Sequence, residues 1–490
     1  MNGNMWSVHV TRHLTSIVAT PLEAVMAYCK AFSNGIGHVC DSNTIRLTAL
    51  TGVAASEIGG DTTSREFGLN STTACKNSDI TACKDTRMCV VDEVSFADYN
   101  KGLIKISDRL QSLTQCKENP YGRMPIVFLG DFKQLAPVKG KSIIEFPQSY
   151  FWEEAITNLV ELKQQHRFRD CPCMQKLMSD IASGENEEES RATIASRLRS
   201  LQDLEVPAGK TMRCATFTNK TRAEFNKGMF LNYLENNHAT ATKTAIPSGA
   251  IVIKGNPTWG STKRELTFGQ RKVFFEQISE SDCKNKNDSK RAAPLLTLFS
   301  GCPVMGTENK DVVNGIANGT TGTFRHAVLK QGKKVHAMKL NGHWVNAIDA
   351  NDVVHLRIDF VDCKKKGSFI VKPSSGTYHP KFPMEEYGVA LDPQITMQMV
   401  QFKLVTNFAT TTHKLQGKSL DFLVIGEWSN LAGWPYVALS RVTTLDCLFI
   451  LKDLPSHYNL SPHPDVSSML MRLRANRSAL PGDLDDLEGL

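Results

Sequence analysis

The sequence predicts an α/β protein built from two parallel-sheet domains, the second interrupted by a β-rich insertion. Three observations carry this reading. The front third alternates short apolar, β-branched runs with helical patterns, as a parallel sheet covered by helices does. A second block of the same kind starts at Met212 and returns after Val405. Between these halves Gly, Pro and Asn are frequent and the strands are short and alternating, as in KKVHAMKL and GSFIVK, the pattern of a small β-barrel set into an α/β domain. A length of 490 residues agrees, being too long for one ordinary domain.

In chain order, residues 1–20 are an unassigned leader with His9, Arg12 and His13, several Ser and Thr, and no acid before Glu23, a composition that weakly resembles a transit peptide. A helix follows, because Leu22, Val25, Met26, Cys29 and Phe32 share one face at helical spacing. Thr20 is its N-cap, Pro21 takes the first helical position, and Glu23 stands three after the cap. The runs TIRLTAL (Thr44–Leu50), MCVVDEV (Met88–Val94) and MPIVFLGD (Met124–Asp131) are buried-strand candidates within a first domain over 21–165. Each ends in polar residues, and ligands of open α/β sheets bind beyond the carboxyl ends of strands. A linker and the start of the second domain occupy 166–250, with MRCATFTNK (Met212–Lys220) as a strand. The insertion spans 251–395, and the second domain ends over 396–455 with VTNFATTTHKLQGKSLDFLVI (Val405–Ile425) and CLFIL (Cys447–Leu451). The tail, 456–490, holds a basic amphipathic stretch (Met469–Arg477) and then the acidic LPGDLDDLEGL.

Hydrophobic residues make up 41% and charged residues 22%, close to globular averages, so neither disorder nor a membrane class is favoured. No apolar run has the roughly eighteen residues that a spanning helix needs. The net charge of +7 and pI near 8.7 fit a partner made of phosphates, although a solvated basic surface needs no partner. Thirteen cysteines, an odd number without a C-x-x-C pair, read as reduced thiols rather than as a disulfide framework or zinc site.

The sharpest chemical signal is VVDEVSF (Val90–Phe96) followed by VFLGDFKQLAPV (Val127–Val138). A strand ending in Asp92-Glu93 offers one carboxylate to hold Mg²⁺ through water and a second to orient an attacking water, as phosphoryl transfer requires. A second strand ending in Gly130-Asp131, with Gln134 on the next turn, offers an amide where a γ-phosphate could be sensed. Arg167 and Arg441 come from opposite halves of the sequence. Supplied to one nucleotide when a cleft closes, they would stabilise charge on the transferring phosphoryl group and couple hydrolysis to domain movement. Phe67, Trp259, Trp344 and Trp434 are candidates for stacking on bases, against the commoner fate of aromatics in a core.

DEVSF and GDFKQLAPV resemble motifs II and III of the PIF-type (petite integration frequency) superfamily 1 DNA helicases, including the helicase domains of Helitron transposons. TALTGVAASEIGG (Thr48–Gly60) resembles their motif Ia, LKQQHRF (Leu162–Phe168) motif IV, TTTHKLQGKSLD (Thr410–Asp421) motif V, and YVALSRVTTLD (Tyr436–Asp446) motif VI. CPVMGTENKDVVNGIANGTTGTF (Cys302–Phe324) is similar to the family's segment leading into the inserted barrel. These blocks occur in family order. The resemblance implies two RecA-like domains, ATP and Mg²⁺ as cofactors, and 5′-to-3′ translocation on single-stranded DNA with unwinding of forked DNA. It also implies a nuclear or mitochondrial location and work in DNA repair, recombination and telomere maintenance. By the same resemblance Asp92 takes Mg²⁺, Glu93 the water and Gln134 the γ-phosphate. Asp131 and Gly417 border the nucleotide, and Arg167 and Arg441 are arginine fingers. Thr51, Gly52, His413 and Lys418 touch the nucleic-acid backbone.

The chain departs from the pattern at the phosphate-binding loop, G-x-x-x-x-G-K-[S/T], whose backbone N–H groups cradle phosphates. GKS occurs at Gly140–Ser142 and at Gly417–Ser419, but Leu135 and Thr412 stand where each needs its first glycine. In the family's register Val18 and Ala19 occupy the Lys and Ser/Thr positions. Two accounts fit: a truncated or misassembled reading frame of an active helicase, or a scaffold that keeps DNA binding without turnover. Asp61 to Met88 is also short, with Ser64-Arg65 where relatives often have His-Ser, which bears on the strand-separating wedge and one DNA contact.

Overall fold

A computed structural model describes residues 6–10 and 26–476, apart from 38, 70–74, 138–139, 163–165, 201–202, 204–205, 207–209, 238–248, 260–263, 278–282, 285–291, 311–315, 362–366 and 381–395. The capping box expected at Thr20–Glu23 and the acidic end of the tail lie outside the described residues. The chain divides into two compact units, one of Met1–Thr211 with Leu415–Leu490, the other of Met212–Lys414.

The first unit is organised by a six-stranded sheet. Its strands are β1 (Trp6–Val10), β2 (Ile45–Ala49), β3 (Asp61–Thr62), β4 (Met88–Asp92), β5 (Ile126–Gly130) and β6 (Asn158–Leu162), in the spatial order β3-β2-β4-β5-β1-β6. Every pairing in it is parallel. The three expected strands are found as β2, β4 and β5. They form because β-branched and aromatic residues in near-continuous apolar runs suit a sheet covered on both faces. Cys89, Val90, Val91, Ile126 and Phe128 are fully buried. β1 was not expected: it lies inside the segment read as a leader, and it pairs with β5 and β6.

Helices cover this sheet. The expected helix after the leader is described over 26–35, with Met26 and Cys29 packed against a cluster of Ile45, Val90 and Leu129. In Lys105–Thr114 the residues Ile106, Leu110 and Leu113 recur at helical spacing and are buried. Pro172–Ser183 starts with proline in its first turn and stops at Gly184, whose φ of 77° closes the helix without strain from a Cβ. The basic stretch of the tail lies in the helix Pro464–Asn476. Its Val466, Met469, Leu470 and Leu473 enter the same core as Ile143, Ile144 and Trp152, while Arg474 pairs with Glu161. The strands Phe422–Ile425 and Leu448–Ile450 pair in parallel in this unit.

In the second unit, Met212–Thr216 pairs in parallel with Ala409–Thr411. Asn226, on the helix Asn219–Asn236, donates to Ala409 O at 3.1 Å and accepts from Ala409 N at 2.8 Å, which seats the helix against that strand. The rest is β-rich, as expected. Leu295–Phe299, Ala250–Lys254, His343–Asp349 and His336–Leu340 make one sheet; Ser368–Val371, Val353–Phe360, Thr321–Leu329, Pro303–Gly306 and Leu404–Thr406 make another. A third contains Asn256–Trp259, Met397–Gln401 and Ser374–Pro380. The pairings among the described residues leave these as three separate sheets and close none into a ring. The insertion is therefore β-rich, and a barrel remains an expectation. Among the described residues no helix is long and apolar enough to cross a membrane.

Candidate active site

The carboxyl ends of β4 and β5 bring the two acidic motifs together at one edge of the sheet. Asp92 closes β4 and is 1% exposed; its Oδ1 accepts from the Glu93 backbone N at 2.8 Å. Glu93 has φ 59° and ψ 34°, a left-handed conformation that costs a residue with a Cβ of order 1 kcal/mol. The turn swings the Glu93 side chain out of the strand direction and into a buried position, 2% exposed. At the end of β5, Asp131 is fully buried. Its Oδ1 accepts from Lys133 N at 3.0 Å, and its Oδ2 accepts from Tyr436 Oη at 3.0 Å and from Gln134 Nε2 at 3.4 Å. Burial pushes the Asp131 carboxyl up, against Lys133 and these three donors, which favour its ionised form. Burial, then the Asp131 charge, holds the Tyr436 phenol well above its ordinary value, so it stays a donor.

The motif V and VI residues within this unit converge on the same place. An ideal Cβ at Gly417, where φ is +83°, would stand 3.7 Å from Glu93 Oε1, so the backbone there passes directly over the glutamate. Arg167 donates from Nη1 to Ser440 O at 2.7 Å and from Nη2 to Ser419 Oγ at 3.0 Å. Arg441 is 2% exposed. Its Nε donates to Val437 O at 2.7 Å, and its Nη1 donates to Leu415 O at 3.2 Å and to Lys418 O at 3.1 Å. Its Nη2 donates to Ser440 Oγ. Burial, then the adjacent Arg167, pulls Arg441 down to about 9, which leaves it charged at neutral pH. Arg441 thus ties the motif V turn to the helix Trp434–Leu439.

Of the other expected contacts, Lys418 belongs to this cluster through its carbonyl, which accepts from Arg441. Thr51 caps the helix Gly52–Glu57 by accepting from Ala54 N at 3.3 Å. His413 is in the second unit, on the short 3₁₀ turn Thr412–Leu415, and burial lowers its pKa so that the neutral ring is favoured. Two stacking candidates are corrected: Phe67 and Trp434 are 1% and 0% exposed and offer no ring face to a base. Tyr436 was missed as a site residue. It was visible only as the first letter of motif VI.

The position of β1 bears on the phosphate loop. It runs parallel to β5, with His9 opposite Gly130, so its carboxyl end lies at the edge that carries Asp92 and Asp131. The sequence that follows it, Thr11–Val25, contains no glycine and no lysine. Among the described residues no group of three or more His, Cys, Asp or Glu could hold a metal ion. Asp92, at the end of β4, is the carboxylate that the motif resemblance would assign to a Mg²⁺ ion.

An all-parallel helix-covered sheet with this acid–glutamine–arginine cluster at its carboxyl edge defines a RecA-like α/β protein of the P-loop fold class. The family model described as PIF1-like helicase matches residues 34–184. The chain is 22% identical over 444 residues to the ATP-dependent DNA helicase RRM3 of Saccharomyces cerevisiae, covering 83% of this chain and 58% of that protein. Among solved structures, the Pif1 helicase of Candida albicans is similar with a TM-score of 0.62 and 20% identity, covering 96% of each chain. The Pif1 helicase of Bacteroides in complex with ADP-AlF3 and ssDNA is similar with a TM-score of 0.63 and 14% identity, covering 97% of this chain and 95% of that one. The resemblance to PIF-type helicases read from the motifs is borne out as a likeness of sequence and fold; its Helitron part is not.

Proposed function

We propose that the chain is an ATP-dependent DNA helicase of the PIF type, coupling ATP hydrolysis to 5′-to-3′ translocation on single-stranded DNA and opening forked DNA. The observation that carries this reading is the convergence of the buried Glu93, Asp131, Gln134 and Arg441 with the half-buried Arg167 and Gly417 within one unit. In it Asp92 holds Mg²⁺ through water, Glu93 orients the attacking water, and Gln134 meets the γ-phosphate end of the nucleotide. Asp131 and Gly417 border that site. Arg167 and Arg441 supply positive charge where negative charge develops. Thr51, Gly52, His413 and Lys418 contact the DNA backbone, which gives register without sequence preference.

A second reading has its own observation, the absence of Gly and Lys from Thr11–Val25, the sequence that follows β1. On that reading the protein binds single-stranded DNA without turnover. Unwinding of a fluorescent duplex carrying either a 5′ or a 3′ single-stranded tail, with and without ATP, tests the proposal. Strand separation only with ATP and only on the 5′-tailed substrate is expected. ATP-independent binding to both substrates, with neither opened, supports the second reading and overturns the first.

A further inference from the structure

The Tyr436 phenol is placed to act on chemistry it does not touch. The Asp131 carboxylate takes three donors: Lys133 N on Oδ1, and Tyr436 Oη with Gln134 Nε2 on Oδ2. An ionised carboxylate can only accept, so the Gln134 amide must turn its nitrogen toward Asp131 and its oxygen away. Gln134 is 6% exposed, and its Oε1 is buried and has no hydrogen-bond partner among the described residues. A buried acceptor left this way is costly unless a donor arrives. The phosphate end of a nucleotide carries only acceptors for it, whereas a water brings a hydrogen.

Backbone packing fixes this arrangement. Gly433 has φ +78°, and an ideal Cβ there would lie 2.7 Å from Gln134 O and 2.9 Å from Lys133 O. Only glycine lets the start of the helix Trp434–Leu439 sit flush on the turn that carries Asp131 and Gln134. Tyr436 then stands in that helix's first turn, against Asp131.

We infer that Tyr436 is a positioning residue that, through Asp131, holds Gln134 with its amide oxygen as the free acceptor, so that Gln134 orients the attacking water rather than binding a phosphate oxygen. This inference rests on the ATP-hydrolysing reading of the site. It separates Tyr436, which shapes the reactive geometry, from groups that grip the nucleotide as such.

The test is equilibrium binding of ADP and of ADP–aluminium fluoride, which includes the water position, to the full chain and to Tyr436→Phe, Gln134→Ala and the double variant. Tyr436→Phe is expected to weaken ADP–aluminium fluoride binding by ~10–100-fold, the scale of losing a group that orients a ligand-contacting side chain. ADP binding should change by less than about twofold, and the double variant should bind no worse than Gln134→Ala alone, because the phenol acts only through the amide. Equal losses for both ligands, no loss, or additive losses in the double variant overturn the inference while leaving the nucleotide site standing. A wild-type chain that binds neither ligand overturns the ATP-hydrolysing reading itself, and the inference with it. Should Tyr436→Phe not fold, Asp131→Asn serves instead: it keeps the shape and removes the all-accepting carboxylate, and the ratio of ADP–aluminium fluoride to ADP affinity is expected to fall by the same ~10–100-fold, whatever the variant does to ADP itself.

Discussion

The carboxyl ends of β4 and β5 and the carboxyl end of β1 lie along the same edge of one sheet but carry different chemistry. β4 and β5 end in Asp92, Glu93 and Asp131, each buried, with Gln134 and two arginines gathered nearby. β1 leads into Thr11–Val25, which has neither the glycines for a backbone cradle nor a lysine to reach phosphate. On the proposed reading, the contrast teaches that groups acting on a phosphoryl centre and groups gripping the nucleotide are separable in sequence. A scaffold can hold the first set through its own packing, as Arg441 and Tyr436 do here, whatever follows β1.

That comparison can be broken or sharpened at several points. The largest effect belongs to the catalytic side: Glu93→Gln should lower DNA-stimulated ATP hydrolysis by ~100-fold or more, the scale of a lost general base, with DNA affinity retained. Steady-state hydrolysis beside a fluorescence-anisotropy titration checks both. Arg441→Ala should destabilise the chain by about 3 kcal/mol, because it strips the carbonyls of Leu415, Lys418 and Val437 of their donor inside a buried site; urea denaturation measures it. Glu93→Gly should raise stability by ~1 kcal/mol by relieving the left-handed backbone, even as hydrolysis is lost. A melting curve for this variant therefore shows whether strain is kept at the site for function. On the β1 side, Arg12 is the only Lys or Arg in Thr11–Val25. Arg12→Ala should change ADP affinity by about threefold or less, the scale of a single charge contact in water. A loss of a hundredfold would mean that this segment does grip phosphate and would erase the contrast.

Much of the first unit was legible because its strands are apolar runs that end in acids: Met88–Asp92 and Ile126–Gly130 name both their burial and their chemistry. The helix after the leader was legible for the same reason, through the spacing of Met26 and Cys29. β1 was not, since WSVHV is five residues in a polar setting and is made a strand by partners at 126–130 and 158–162. The amphipathic tail helix could be read, but amphipathicity names a face and not its partner, and Leu470 and Leu473 proved to pack into the first unit's core. Least legible was the bond from Tyr436 to Asp131, between residues 305 apart. No local pattern encodes a hydrogen bond at that separation; the glycine at 433 that permits the contact reads in sequence as an ordinary turn.

The central claim is that the cluster around Glu93 performs phosphoryl transfer, and ATP hydrolysis by the purified chain, with and without single-stranded DNA and beside Glu93→Gln, tests it most directly. Hydrolysis that DNA stimulates and Glu93→Gln abolishes is the predicted result. No turnover in either protein, with DNA binding that weakens steeply as salt rises, would contradict it and leave a single-strand-binding scaffold.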